Sequence, residues 1–193
     1  DNSDDPARAI VEADVIQLDG DRLYTLSRVA GLSVIDVSNP DRLKMLGRYR
    51  ELPAEPFEMY LSDDVVIAMF SSWGQYVEND EGNWQWVQTS KVVALDATDP
   101  AAITALGSFD VPGNISDSRI VGDVLYVVGY QDGYCWGCQQ NQARTAVVSL
   151  DVSDPRAMRK VDELAFDDAD NEWGWNRRSI TVTEQRMYVA GPE

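Results

Sequence analysis

The residues of this chain best suited by type and spacing to chemistry are a Cys135-Trp136-Gly137-Cys138 pair, a carboxylate run from Asp167 to Glu172, and six tryptophans gathered in three short segments. Zinc would want two more thiolates or imidazoles beside the cysteine pair. The chain has no other cysteine and no histidine at all. A redox-active pair would normally open a helix in a βαβ unit, and no segment here carries a sustained helical period. The absence of histidine also removes Ser–His–Asp and Cys–His catalysis and histidine acid–base work. An enzyme built on this chain would have to use carboxylates, Tyr, Lys or Arg. Glu78, Asp80 and Glu81, in an aromatic segment, are the carboxylates that would suit sugar cleavage, although keeping an apolar loop soluble would require the same residues. Asp167, Asp168, Asp170 and Glu172 offer oxygen ligands of the kind Ca²⁺ takes. They lack the spacing of a complete calcium loop, and solvated charge explains them equally. No other cofactor is expected.

The tryptophans are Trp73, Trp84 and Trp86, then Trp136, then Trp173 and Trp175, accompanied by Tyr76 and Tyr134. Tryptophan offers a large rigid surface with a polar handle, which suits recognition. Rings packed over one another to hold long loops would give the same composition. Both readings stand at this point.

Charge narrows the partners. Net charge is −17 with a pI near 4.2, opposite to what phosphate backbones or anionic lipid attract. Nucleic acid is therefore not an expected partner. No stretch approaches the roughly 20 apolar residues that span a bilayer, so direct membrane insertion is not expected either. The opening, Asp1-Asn2-Ser3-Asp4-Asp5-Pro6, is polar and lacks Met. Residues 1–11 read as a flexible polar segment.

What must position these groups is a repeat. Asp36-Val37-Ser38-Asn39-Pro40, Asp96-Ala97-Thr98-Asp99-Pro100 and Asp151-Val152-Ser153-Asp154-Pro155 each close an apolar run. A period of this size signals a solenoid or propeller array. Each repeat reads as four short strands with turns such as Asp19-Gly20 and Gly122-Asp123. In the motif, Asp or Asn caps a single turn and Pro takes its first position. The expected fold is all-β, a β-propeller of four-stranded antiparallel blades with about three and a half blades over 12–193. The blades fall at about 12–51, 56–110, 114–165 and 173–193, the last incomplete. Antiparallel geometry puts the Asp-Pro turns on one face and the segments 71–89, 131–144 and 165–176 on the other. Arg119, Arg177 and Arg178 fall at or just before first strands, where they would line a channel or pair with carboxylates between blades.

Gly20-Asp21-Arg22-Leu23-Tyr24, with the segment Gly31 to Pro40, resembles the repeat of secreted bacterial and archaeal β-propellers distantly related to WD repeats. Asp117 to Val128 is similar to the strand–turn–strand core of the same family. The resemblance implies the fold and an extracellular, cell-surface or periplasmic setting, and it brings no catalytic motif. In that setting Cys135 and Cys138 are expected to form a local disulfide. The expected function is a non-enzymatic binding or scaffold module whose Trp-rich face contacts protein or glycan. The alternatives are a structural segment of a larger surface assembly and, third, a carboxylate-based glycan-active enzyme. A propeller usually closes with four to eight blades. Remaining blades are therefore expected from the same longer chain or from another chain.

Overall fold

The computed structural model describes residues 10–11, 14–50, 55–78, 80–131, 143–168, 179–183 and 186–190. Strand β1 is Ile10–Val11. Blade one contains β2 (Ile16–Asp19), β3 (Arg22–Ser27), β4 (Gly31–Asp36) and β5 (Lys44–Tyr49). Blade two contains β6 (Glu55–Ser62), β7 (Val65–Glu78), β8 (Trp84–Asp96) and β9 (Thr104–Pro112). Blade three contains β10 (Asn114–Val121), β11 (Val124–Gln131), β12 (Ala143–Asp151) and β13 (Arg159–Asp168). A hairpin of β14 (Ser179–Val182) and β15 (Met187–Ala190) follows. Every sheet is antiparallel and in chain order, except that β1 joins the free edge of β10, pairing Ile10 with Val121 and Val11 with Ile120. Two residues of the segment read as flexible are thus in a strand.

Local chemistry explains the turns. The first hairpin of each blade closes on two residues, and Gly20, Gly122, Asp63 and Asp64 take the positive φ that a tight hairpin with right-handed twist requires. Across the same face, Val37, Ala97 and Val152 donate their N–H groups to the carbonyls of Asp21, Asp64 and Asp123 at 2.8, 2.9 and 2.9 Å. Each repeat Asp folds back on its own turn. Asp36, Asp96 and Asp151 accept from the N–H of Ser38, Thr98 and Ser153 at 2.9, 3.0 and 3.1 Å. The hydroxyl residue's side chain first, and then that N–H, hold all three carboxyls below the ordinary aspartate value. In the second copy Asp99 caps a single 3-10 turn, Pro100–Ala102, by accepting from Ala101 at 3.0 Å.

The cores lie between blades because successive side chains point to opposite faces. Tyr24, Leu26, Leu32 and Val34 of blade one meet Val66, Ala68, Phe70, Val93 and Leu95 of blade two. The alternate residues Ile67, Met69 and Val92 meet Leu125, Val127, Val148 and Leu150 of blade three. Val128 and Val147 meet Ile180 of the last hairpin. The middle stretches of the second and third blades' third strands, Val92 to Leu95 and Ala146 to Val148, are continuously apolar because a sheet covers each of their faces.

A second device ties the outer strands together. Each carries a β-bulge at the same place, so that Val34 pairs with Gly47, Ala94 with Gly107 and Ser149 with Asp162. The Asp-Pro turn of each following blade lies against that glycine. A Cβ on Gly47 would stand 1.6 Å from the carbonyl oxygen of Pro100, and one on Gly107 would stand 2.6 Å from that of Pro155. No side chain fits either seat.

Candidate binding surface

The aromatic residues of 71–89, read from sequence as lying in a long loop, instead continue the second blade as paired strands. Beyond Phe70 opposite Lys91 the ladder is interrupted by a bulge. It resumes with Trp73 opposite Thr89, Tyr76 opposite Trp86 and Glu78 opposite Trp84. The result is a two-stranded arm standing past the blade on the face opposite the Asp-Pro turns. The physical reason is local: β-branched and aromatic residues face one another across the pair, and such pairs stabilise a ladder without a core beneath it. Gly82, at φ 80°, helps turn the tip.

The register decides which rings share a face. Tyr76, Trp84 and Trp86 fall on one side by two-residue alternation. Tyr76 and Trp86 meet edge to face, centroids 5.0 Å apart and planes at 69°, a contact worth about 0.5–1.5 kcal/mol beyond burial. All three remain open to solvent, Tyr76 at 65%, Trp84 at 66% and Trp86 at 42% exposure. Glu78, Asp80 and Glu81 are exposed toward the tip. The arm is therefore a narrow aromatic strip with an acidic end.

Its root is braced. Ser90, fully buried, donates its hydroxyl to the carbonyl of Gly113 at 2.6 Å and accepts the N–H of Ile115 at 3.1 Å. Ser71 accepts the same N–H at 3.1 Å. The two serines lie on the arm-bearing strands, whereas Gly113 and Ile115 open the third blade. Blade three thus anchors the arm.

A polar network runs along the inner strands, and sequence reasoning found only its arginine. Ser118 donates to Glu58 Oε2 at 3.0 Å and lies 2.9 Å from the Tyr60 hydroxyl. Asp117 accepts from Arg119 Nη1 at 2.8 Å and from the N–H of Ile180 at 2.8 Å. Arg119 thus pairs within its own strand, and it is Asp117 that reaches the next hairpin, which corrects the expected inter-blade pairing of this arginine. Burial pushes the Glu58 carboxyl above its ordinary value, with repulsion from Asp117 and Asp14 adding to it and Ser118 opposing. Burial likewise pushes Tyr60 up to about 12. Each of these groups is satisfied by a neighbour, so the network stitches blades together. The sequence signal was available: polar residues at positions of inner strands that are apolar in other repeats, with Ser118 where blade two has Met59.

Of the other expected site residues, Trp73 is placed by its backbone alone. Tyr134, Cys135, Trp136, Cys138, Asp170, Glu172, Trp173 and Trp175 lie outside the described residues, as do the side chains of Asp167 and Asp168. Ala165 to Asp168 continue β13 rather than forming part of a connection. Among the described residues no three acidic, histidine or cysteine side chains are grouped to hold a metal ion, and no helix is long and apolar enough to cross a membrane.

Comparison with known families matches residues 7–147 to a family described as a β-propeller domain. No curated protein and no solved structure matches the chain.

Proposed function

Because the chain belongs to the β-propeller domain family, we propose that it is a non-enzymatic binding module acting outside the cytoplasm, with the aromatic arm of blade two as its contact surface for protein or glycan. The observation that carries this is the exposed strip of Tyr76, Trp84 and Trp86 on a hairpin whose root is hydrogen-bonded to the neighbouring blade. Rigid aromatic area offered to solvent is what recognition surfaces use, since little conformational freedom is lost when a partner covers it. The three carboxylates near the strip lie open to water at the arm's tip, not in a cleft that would exclude it, which favours contact over catalysis. A setting outside the cytoplasm also suits a joined Cys135–Cys138 pair.

Tryptophan fluorescence against a panel of soluble glycans and candidate surface proteins tests this. A true ligand quenches or shifts the emission without product release. The Trp84→Ala change then weakens that ligand about tenfold or more while leaving the melting temperature unchanged. A ligand held equally well by the variant would remove the arm from the site. Release of a cleaved sugar would favour the carboxylate enzyme instead.

A further inference from the structure

We infer that the partner of the arm is a basic, extended segment of another protein, with arginine or lysine side chains at alternate positions. This rests on the reading of the arm as the contact surface, and it chooses between the two ligand classes which that reading leaves open. The ladder register carries it. Glu78 stands directly opposite Trp84 and Tyr76 opposite Trp86, so one face of the arm bears three rings and a carboxylate together. Glu78 Oε1 lies 3.8 Å from where a Cβ on Gly82 would stand, which places this carboxylate by the tip turn that also carries Asp80 and Glu81. No Lys or Arg occurs between Arg50 and Lys91. The arm therefore combines exposed rings with three carboxylates and brings no basic residue of its own. A ring attracts a cation to its face, and a guanidinium can stack there while pairing with a neighbouring carboxylate. A neutral sugar would use the rings and leave the carboxylates without a role. An acidic glycan or peptide would be repelled.

Spacing and an open strand edge set the form of the segment. Trp84 and Trp86 are two residues apart on one strand, hence about 6.7 Å apart along it. An extended peptide presents the successive side chains of one face at that same interval. The edge is supplied by β7. Its pairing with β6 ends at Ser71, opposite Glu55. From Trp73 to Glu78, β7 is paired on its β8 side alone among the described residues, which leaves an edge to which an extended segment can add. A segment added there runs beside Tyr76 and Glu78 and lays every second side chain on the aromatic face.

Titration of the full chain by tryptophan fluorescence tests this with four probes: end-blocked hexapeptides alternating Arg with Thr or Gln with Thr, a hexapeptide of three Arg followed by three Thr, and cellohexaose. The alternating Arg peptide is expected to bind about tenfold more tightly than the Gln peptide and to weaken as salt rises. Trp84→Ala should weaken it about tenfold and Glu78→Gln about threefold, both at the parent's melting temperature because these side chains stand in solvent. Asp41→Asn removes the same charge from an exposed place beside an Asp-Pro turn, on the opposite face, and should leave the affinity unchanged. An equal loss with Asp41→Asn and Glu78→Gln would assign binding to the net charge of −17 and overturn the inference. Equal affinity for the block peptide would overturn the extended register. Cellohexaose held in a Trp84-dependent way, with no such binding of the Arg peptide, would overturn the basic partner and leave the arm as the contact surface. If no probe depends on Trp84, the inference falls together with the reading of the arm on which it rests.

Discussion

Glu58 and the three repeat aspartates lean in opposite directions, which gives the molecule two separate pH limbs. The folded state raises the Glu58 carboxyl, chiefly by burial, so its contribution to stability is complete below its ordinary value of 4.5 and declines as pH climbs through the raised one. Asp36, Asp96 and Asp151 are held down by their own turns. Their contribution is present above the ordinary 3.8 and is lost as pH falls through the lowered values. Glu58→Gln is expected to flatten the fall in melting temperature above pH 4.5 and leave the acid limb below 3.8 intact. Repulsion among the excess acids acts in both proteins and cancels in the comparison. An unchanged upper limb in the variant would mean that burial of this carboxyl is not its cause. Ser90 is the other residue with a defined cost. Ser90→Ala removes the donor to Gly113 and an acceptor for Ile115 in a fully buried place, which costs about 1–3 kcal/mol in urea unfolding.

At the scale of elements, the bulged outer strand and the proline turn behave as one joint. Gly47→Ala places a methyl 1.6 Å from the Pro100 carbonyl and Gly107→Ala places one 2.6 Å from that of Pro155. Overpacking of this kind costs about 1–3 kcal/mol or more, and the first change is expected to be the worse of the two. Asp162→Ala, at the equivalent but exposed position, should stay within about 0.5 kcal/mol of the parent. Denaturant midpoints of the three variants test this ordering, and equal losses at all three would refute the joint. The arm is a different kind of element. Its strands leave the blade and keep pairing, so the surface offered for binding is set by cross-strand register and not by a loop conformation.

For the whole molecule, stability is divided among interfaces between neighbours, as in other repeat architectures. Among the described residues three apolar clusters hold it, one at each junction between successive sheets. Polar contacts reinforce the first junction, where Arg22 donates to Asp64 at 2.9 Å and the Tyr24 hydroxyl lies 3.1 Å from the same oxygen. The inner edge is covered differently. β1 pairs with β10, and Asp14 bridges to Met59 of blade two, so the N-terminal stretch runs along the first strands of two blades.

The fold was legible because repetition writes it several times. The Asp-Pro motifs mark the period, the two-residue turns mark the hairpins, and the nearly continuous apolar runs within the third strands mark sheets covered by neighbours. The glycine seats were also written in the chain. Seven positions after Pro40 and Pro100 stands Gly, and seven after Pro155 stands Asp162. Spacing alone does not say that the proline of one repeat meets the glycine of the one before. That depends on how sheets stack, a relation between residues 53 and 48 positions apart. The arm shows the same limit. Sequence put Tyr76, Trp84 and Trp86 on the correct face of the molecule but read their segment as a loop, because a polar and aromatic stretch carries no buried face to reveal a strand. Cross-strand register, which brings Tyr76 against Trp86 and leaves both in solvent, is a property of the paired backbone, and only the tertiary structure decided it.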